Sequence, residues 1–416
     1  MRFLTEPQIE SIRERFGTPV YVYDQKTLEA AADQVLAFPA PCRLVGRFAM
    51  KALPTAAVLR IFDAKGLHID ASSGFEAERA LRAGISPEKI QITAQELPKD
   101  LKGLVQRGVL FNACSLHQLR RFGELFPGGE VSVRINPGLG SGHNNRTNVG
   151  GPSSSFGIWH EKLPEVAALA REFDLRISGL HTHIGSGGDP EVWQRCAALT
   201  LGIARQLPDL DRLSLGGGFK VARMPGEQAA DLAAIGAALA PQIRQFLAER
   251  GRGDDFQLEI EPGTFLVALA GAIVCEIIDV VDTGEAGHRF LKIDSGMTEL
   301  LRPSLYGAQH PIHVVPHGRS ASDESADYLV VGHCCESGDI LTPGPGDPEG
   351  LLPRRLARAE IGDTVVIEGA GAYASGMAAS NYNAFPKAAE VLIEGDGTAR
   401  LIRSRQTLAQ SLENEL

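Results

Sequence analysis

The strongest constraint on the fold is an alternation that repeats eight times between about residue 43 and residue 263. Short apolar runs with strand character are separated by longer amphipathic stretches in which apolar residues recur at helical spacing. Eight βα units in about 220 residues predict an α/β fold built on a (β/α)8 TIM-type barrel, with a doubly wound open sheet as the competing arrangement. The candidate strands are residues 43–50, 67–71, 90–94, 110–114, 131–136, 177–184, 213–216 and 257–261.

The pattern changes after residue 264. Residues 265–416 contain β-rich runs joined by Gly/Pro-rich turns, which indicates a second, mainly antiparallel β domain. An earlier segment, residues 18–23 (TPVYVY), also has strand character and could pair with that domain. The predicted organisation is therefore a helix and strand in residues 1–34 that join the β domain, the barrel in residues 35–264, and the β domain in residues 265–416.

Composition argues against several classes of function. The formal net charge is −10 at pH 7, and no basic stripe is present to meet nucleic-acid phosphates. No apolar stretch approaches the roughly 20 residues of a membrane span, and the charged N-terminal segment lacks a signal-peptide core. Six cysteines stand without zinc-type spacing and are few for a disulfide framework. We expect a cytoplasmic protein without nucleic-acid or membrane partners.

Lys51 follows the first apolar run of the predicted barrel, RLVGRFAM. A lysine at the carboxyl end of a buried strand is either a surface lysine whose stem covers apolar neighbours or a nucleophile held in a pocket. Barrel enzymes carry their active sites at the carboxyl ends of the strands, so both interpretations of Lys51 stay open.

Three glycine-rich segments could bind a phosphate: residues 183–188 (HIGSGG), 216–218 (GGG) and 369–373 (GAGAY). Glycine lets backbone N–H groups approach an anion closely, and a serine hydroxyl adds a donor. Each segment could equally be a tight turn. Two of them follow neighbouring predicted strands near the end of the barrel, where barrels often bind phosphate, and neither has a Walker A or Rossmann pattern.

His181 and His183 lie two residues apart on a predicted strand and therefore share one face, as do Glu259 and Glu261. The histidines could ligate a metal together with carboxylates such as Asp70 and Glu261, or they could be satisfied residues of the barrel interior. An acid directed into the barrel mouth would pair with a cation such as a protonated ring nitrogen. One of the two glutamates could instead be a solvated rim residue.

Two polar features stand out in the predicted β domain. Arg302 could bind a carboxylate through its planar fork, or it could lie on the surface. Cys335, in the run CCESGD (residues 334–339), could be a general acid or a small buried hydrophobe.

Nine segments taken together resemble the fold-type-III pyridoxal-phosphate-dependent decarboxylases, and among them the diaminopimelate decarboxylases. The resemblance extends over residues 17–406, and the family fold, a barrel plus a β domain, agrees with the prediction made from the residues. The segments are PVYVYD (19–24), RFAMKA (47–52), RINPGLGSGH with TNVGG (134–143 and 147–151), HTHIGSG (181–187), LGGGF (215–219), EIEPG (259–263), RPSLYGAQHP (302–311), CESGD (335–339) and GAYASGMAASNYN (371–383).

The resemblance implies that the cofactor is pyridoxal 5′-phosphate. Lys51 resembles the lysine that bonds covalently to the cofactor, His183 the histidine that stacks on its ring, and Glu261 the acid that bonds the ring nitrogen. The remaining groups that resemble cofactor ligands are Ser186, Gly216, Gly217, Gly218, Gly263 and Tyr373.

For the substrate, Arg302, Tyr306 and Tyr373 resemble binding groups, Cys335 the proton donor, and Glu336 the group that reads the distal amine. In the family the Cys-Glu segment reaches into the partner's site, so the resemblance implies a homodimer with shared active sites. The implied activity is decarboxylation of the amino acid meso-2,6-diaminopimelate to L-lysine and CO2.

One position departs from the family pattern. Thr264 follows Glu-Pro-Gly, where the family usually carries an arginine that helps to bind the substrate. Arg146 could replace that arginine, or the substrate could be another amino acid, such as carboxynorspermidine or a siderophore precursor. A racemase, a non-catalytic protein that carries pyridoxal phosphate and a metal hydrolase are the remaining alternatives.

Overall fold

The computed structural model describes residues 1–139, 150–183, 187–320 and 323–416. They form two compact units. The barrel unit consists of Glu29–Val221 and Gln228–Leu266, and the β unit consists of Met1–Leu28, Ala222–Glu227 and Val267–Leu416. The domain limits expected from the sequence stay a prediction.

Strands and helices alternate through the first part of the chain, and strands dominate the second. The strands are β1 (Val20–Asp24), β2 (Arg43–Ala49), β3 (His68–Ala71), β4 (Ile90–Ile92), β5 (Leu110–Ala113), β6 (Glu130–Asn136), β7 (Ile158–Trp159), β8 (Arg176–His181), β9 (Arg212–Ser214), β10 (Gln257–Ile260), β11 (Gly271–Asp282), β12 (Arg289–Ile293), β13 (Ile312–Val315), β14 (Ser325–Val331), β15 (Pro343–Gly344), β16 (Asp347–Leu351), β17 (Arg354–Ala357), β18 (Thr364–Glu368), β19 (Ala389–Ile393) and β20 (Ala399–Arg403). The helices are α1 (Glu6–Phe16), α2 (Gln25–Leu36), α3 (Ala56–Lys65), α4 (Gly74–Arg82), α5 (Leu101–Gln106), α6 (Leu116–Leu125), α7 (Leu163–Glu172), α8 (Pro190–Ala204), α9 (Leu232–Glu249), α10 (Thr264–Val267), α11 (Arg302–Tyr306) and α12 (Leu408–Ser411).

Eight parallel strands close the barrel. The pairing runs from β2 through β3, β4, β5 and β6 to β8, and then through β9 and β10 back to β2, while β7 pairs additionally with β6. All eight strands expected from the sequence are present, and most end one to three residues earlier than predicted. The closed barrel is therefore confirmed over the open sheet.

Side-chain caps fix where several outer helices begin. Ser73, Ser115 and Asp231 each accept a hydrogen bond from the backbone N–H three residues later, at the start of α4, α6 and α9. Such caps satisfy N–H groups that the first helical turn leaves open, and each contributes on the order of 1 kcal/mol. They also limit the length of the loops that follow β3 and β5, so the residues at these strand ends are held over the barrel.

A buried ion pair joins the neighbouring strands β2 and β10 inside the barrel. Arg47 donates through Nε to Glu259 Oε2 at 2.8 Å and through Nη2 to Oε1 at 3.0 Å, and the two side chains are only 1% and 2% exposed. Burial opposes ionisation, but the charge and hydrogen bonds of Arg47 hold the pKa of Glu259 below its ordinary value. Neither Glu259 nor Glu261 is solvated, so the expectation that one could be a rim residue is wrong.

The β unit is a nine-stranded mixed sheet with the order β17-β14-β12-β11-β1-β19-β20, to which β18 and β13 add at β11. Two pairings are parallel, β1 with β19 and β12 with β14, and the others are antiparallel. The prediction of a mainly antiparallel β domain is therefore confirmed. Strand β1 lies between β11 and β19, so the N-terminal strand joins this sheet as expected. Helix α1 packs on it through Ile9 and Ile12. Among the described residues, no helix is both long and apolar enough to cross a membrane.

Breaking the buried pair should destabilise the barrel. Arg47→Met leaves Glu259 as a buried charge without its partner, so we expect the free energy of unfolding to fall by about 3–5 kcal/mol. The double change Arg47→Met with Glu259→Met should recover most of that loss. Urea-induced unfolding followed by circular dichroism measures both.

The matched control is Arg82→Met, because Arg82 pairs with Glu78 while its own side chain is 80% exposed. That change should cost only about 0–1 kcal/mol. Equal losses for Arg47→Met and Arg82→Met would show that the interior pair does not contribute as argued.

Candidate active site

Polar side chains collect at the carboxyl ends of the barrel strands. Because alternate residues of a barrel strand face the interior, the last inward position of each strand points to the same end of the barrel. The polar residues within or just beyond these strand ends include Lys51, Asp70, Thr93, Asn112, Arg134, His181, Ser214 and Glu261.

Lys51 lies in a 3₁₀ turn, Met50–Ala52, directly after β2, and is exposed. The loop after β10 packs against this turn, since the Ala49 N–H donates to the carbonyl of Pro262 at 3.1 Å. A Cβ at Gly263 would lie 3.3 Å from Ala49, which leaves little room for a side chain there. Burial raises the pKa of Asp70, and the charge of Lys51 is the strongest influence in the opposite direction.

Glu261 is a buried acid, 4% exposed, and among the residues that the structure describes no guanidinium is hydrogen-bonded to it as Arg47 is to Glu259. Its Oε1 accepts a hydrogen bond from Ser214 Oγ at 2.7 Å, and its Oε2 lies 3.2 Å from His181 Nε2. Burial, followed by the negative charge of Asp70, raises the pKa of Glu261 to about 8. The carboxyl group therefore carries a proton at neutral pH unless a cation binds beside it.

His181 is a neutral residue whose ring orientation is fixed from behind. Asn112 Nδ2 lies 2.8 Å from His181 Nδ1 and 3.2 Å from Thr93 Oγ1. Burial, followed by the charge of Arg134, lowers the pKa of His181 well below its ordinary value. A neutral ring that accepts from Asn112 at Nδ1 carries its proton on Nε2, the atom that faces Glu261. Polar side chains therefore follow one another at short distances from Thr93 through Asn112 and His181 to Glu261.

His183 and a glycine loop form the second part of the barrel site. The Gly217 N–H donates to His183 Nδ1 at 3.0 Å. A Cβ at Gly216 would lie 2.7 Å from the Thr182 carbonyl oxygen, and one at Gly217 would overlap the Glu261 carbonyl. Gly216 and Gly218 have φ values of 71° and 102°, which other residues rarely adopt. Only glycine fits this loop, as a backbone anion cradle requires.

His181, His183 and Glu261 also satisfy the spacing of a metal site, because one ligand atom from each lies within 4.8 Å of the others. The same arrangement suits an aromatic cation, with the carboxyl group meeting a ring N–H and an imidazole beside the ring.

Arg302, Tyr306 and Tyr373 come together in the β unit. The Arg302 Cζ lies 5.8 Å from the ring centre of Tyr306 and 5.9 Å from that of Tyr373. Tyr373 has a left-handed backbone with φ 55°, a conformation that is rare for a bulky residue and that occurs most often at functional positions. These three predicted substrate residues are therefore neighbours.

Cys335 and Glu336 are exposed on the loop after β14. Buried Asp339 fixes this loop by accepting hydrogen bonds from the Cys334 N–H at 2.9 Å and the Met297 N–H at 2.7 Å. The alternative that Cys335 is a small buried hydrophobe is wrong. Burial and the charge of Asp339 raise the pKa of the neighbouring Cys334 to about 12, so that residue stays a thiol.

Two predicted residues fall outside the described part of the chain: Ser186, expected to bind phosphate, and Arg146, expected as a possible substitute for the missing arginine. Sequence reasoning also missed Asn112, Ser214 and Arg134. Each lies two residues before the end of a predicted strand, and a systematic search for polar residues near strand ends would have found them.

Comparison with known proteins shows the family. Residues 26–268 match the pyridoxal-binding domain of the pyridoxal-dependent decarboxylases. The chain belongs to that family. It is 37% identical over 420 residues to diaminopimelate decarboxylase of Streptomyces coelicolor, an alignment that covers 99% of this chain and 92% of the relative.

Solved structures agree with this assignment. A crystal structure of diaminopimelate decarboxylase superposes with a TM-score of 0.92 at 34% identity and covers 99% of this chain and 97% of its own. The Helicobacter pylori diaminopimelate decarboxylase complexed with L-lysine gives a TM-score of 0.84 at 27% identity, with 98% of each chain covered. The barrel plus β-domain architecture is thus that of the family, and the chain is a carboxy-lyase.

Pyridoxal phosphate is accordingly the cofactor, as expected from the sequence. The barrel site fits it on two observations: a glycine-only loop that a bound group can approach closely, and a buried acid with a raised pKa that a protonated ring nitrogen would compensate. In addition, His181 Nε2 forms no hydrogen bond of good geometry within the described residues, so Glu261 Oε2 is available to a ligand.

The raised pKa of Glu261 predicts a pH dependence of stability in protein from which the cofactor has been removed. The folded pKa is about 8, against an ordinary value of 4.5, so the folded state binds more protons than the unfolded state between these values. This contribution to stability is fully present below the unfolded pKa and is lost as the pH rises through the folded pKa. Glu261→Gln should remove it.

Melting temperatures of the wild type and Glu261→Gln, measured at intervals from about pH 5 to about pH 8.5, test this. The variant should gain on the wild type as the pH rises. Glu161→Gln, at an exposed position, should keep the wild-type profile. Parallel profiles for the wild type and Glu261→Gln would mean that Glu261 is ionised throughout.

Proposed function

We propose that this protein decarboxylates meso-2,6-diaminopimelate to L-lysine and CO2 with pyridoxal phosphate as cofactor, a step that forms lysine. The observation that carries the proposal is similarity over 99% of the chain to proteins named diaminopimelate decarboxylase. The lysine bound to the Helicobacter pylori relative supports the same product.

In the barrel unit, Lys51 is the proposed covalent attachment point of the cofactor. Its support is an amine at the end of β2, beside the loop that carries Glu261 and Gly263. His183 is proposed to lie against the cofactor ring, with the backbone of Gly216, Gly217 and Gly218 beside its phosphate. Ser186 is proposed as a further phosphate ligand.

When bound, pyridoxal phosphate supplies a ring that accepts the electron pair released as the carboxylate leaves. Glu261 holds a proton at the position of the ring nitrogen, because a buried carboxylate is stable only beside a cation. Ser214 orients that carboxyl group, and His181, held by Asn112, keeps its second oxygen facing the ligand. The proposed role of these residues is to preserve a positive charge on the ring.

In the β unit, Arg302, Tyr306 and Tyr373 are proposed to bind the substrate, with Tyr373 also contacting the cofactor. Cys335 is proposed to deliver the proton that replaces the carboxylate, and Glu336 to bind the distal amine. The support is an exposed thiol and an exposed carboxylate on a loop that Asp339 holds in place.

We further propose a cytoplasmic homodimer in which the loop with Cys335 and Glu336 serves the partner's site. The support for a reducing compartment is that all six cysteines lie in the described part of the chain and are free. The support for the shared site is the exposure of both residues in a single chain. A decarboxylase for another amino acid stays the second candidate, because Thr264 occupies the position of the family arginine.

A substrate panel tests the activity. Release of CO2 from meso-diaminopimelate should exceed that from L-lysine, L-ornithine, L-arginine and carboxynorspermidine by at least about 100-fold in kcat/KM, since a site built for two polar ends rejects analogues that lack one. L-Lysine should accumulate in equal amount. A faster reaction with any of the other four amino acids would overturn the proposed substrate.

Mixing two inactive variants tests the shared site. Lys51→Ala and Cys335→Ala should each lose most activity alone, whereas subunits exchanged in a 1:1 mixture should recover about a quarter of the wild-type activity, because half of the random dimers then hold one intact site. Lys51→Ala mixed with Glu261→Gln provides the control. Both changes lie in the barrel unit, so each of the two sites of a mixed dimer keeps one defect. This control mixture should therefore stay inactive. Recovery in the control but not in the test mixture would contradict the proposed partner role of Cys335.

A further inference from the structure

Arg223 lies in a short segment, Ala222–Glu227, that belongs to the β unit although barrel residues flank it in the chain. Its Nε donates to the Gly369 carbonyl oxygen at 3.1 Å, and its backbone N–H donates to Glu227 Oε2 at 2.7 Å. Its Nη2 is buried and has no hydrogen-bond partner among the residues that the structure describes. The guanidinium is therefore held in place through Nε, while its Nη2 N–H groups have no acceptor among the described residues.

Arg302 provides a second cation close by. Its Nε is also buried without a hydrogen-bond partner in the described ranges, and its Cζ lies over the rings of Tyr306 and Tyr373. Burial and the charge of Arg302 together lower the pKa of Arg223 to about 9, so Arg223 stays charged at neutral pH. Two half-buried arginines, each with a buried N–H group that has no partner among the described residues, are unfavourable neighbours unless an anion lies between them.

His310, next to the two arginines, does not provide that anion. Its Nδ1 lies 3.0 Å from the Glu368 carbonyl oxygen and so carries the ring proton. Burial, with the charge of Arg223, lowers the pKa of His310 to about 3, so the ring is neutral. The charge of Glu227, an exposed residue, offsets part of the charge of Arg223, and its carboxylate accepts from the backbone N–H of Arg223. The remaining positive charge of the cluster is left for a ligand to balance.

We propose that Arg223 and Arg302 together bind a carboxylate of the substrate, and that Arg223 supplies the cation that Thr264 does not. This inference rests on the proposed function. Paired guanidinium groups form several charge-assisted hydrogen bonds with one carboxylate, which suits a site with two open guanidinium ends.

The bound carboxylate is the one distal to the reacting carbon. Two cations on the departing carboxylate would stabilise it more in the substrate than in the transition state, where its charge passes to the ring, and would slow the reaction. The same cations on the distal carboxylate hold the substrate without opposing the chemistry. The substrate class is therefore an α-amino acid with a second carboxylate, which excludes ornithine and carboxynorspermidine.

Binding to the holoenzyme tests this assignment with two ligands that differ at the distal end. Titration calorimetry with L-lysine, which keeps the carboxylate distal to the reacting carbon, and with cadaverine, which has the same chain and both amines but no carboxylate, is carried out on the wild type and on Arg223→Gln. Removing one charged donor should weaken L-lysine binding by about 10- to 100-fold and change cadaverine binding by less than about 3-fold. Arg223→Lys should recover part of the loss, because it restores the charge but not the fork.

Arg244→Gln, at an exposed position of α9, is the matched control and should bind both ligands as the wild type does. Unchanged L-lysine binding in Arg223→Gln, or equal weakening of both ligands, would overturn the proposal, as would a wild type that binds cadaverine as tightly as L-lysine. The wild-type release of CO2 from meso-diaminopimelate reports separately on the proposed function. In that assay Arg223→Gln should raise KM more than it lowers kcat, since the distal contact is the same in substrate and transition state.

Discussion

Two glutamates of one strand end determine how the barrel can bind a cofactor. Glu259 and Glu261 are two residues apart and face the same interior, but they meet opposite surroundings. Glu259 has the fork of Arg47, which holds its pKa low in spite of burial. Glu261 has a hydroxyl and a neutral imidazole, and burial raises its pKa to about 8. A ligand that brings its own positive charge is therefore favoured at Glu261, and a protonated pyridine ring is such a ligand.

The neutrality of His181 is part of the same electrostatic arrangement. If this imidazole were charged, it would compensate Glu261 directly and compete with a ring nitrogen for the carboxylate. Burial and Arg134 keep its pKa low, and Asn112 fixes which nitrogen carries the proton. The negative charge of Glu261 can consequently pair with a positive charge on the bound group. Neutral neighbours set the orientation of the carboxyl group.

The sequence was sufficient to predict elements and strand ends, because apolar runs and helical periodicity are local properties. Lys51, His183 and Glu261 were found in this way, each at or next to the end of a predicted strand. The partner of each side chain was not predictable, because it depends on strands far apart in the chain: Arg47 meets Glu259 212 residues later, and Asn112 meets His181 69 residues later. Strand order in a closed barrel brings these residues together, and no local pattern records it.

Arg223 shows the same limit more clearly. The segment VARMPGEQ (residues 221–228) would be interpreted from its composition as a turn. Only the contact of Arg223 with Gly369, 146 residues away, shows that this guanidinium lies beside Arg302. The loss of an arginine at Thr264 therefore does not imply that the substrate lacks a distal carboxylate, because charge at a binding site can be supplied from another segment. A substrate without that carboxylate would leave two half-buried guanidinium groups uncompensated, and this cost, more than any direct contact, would discriminate against it.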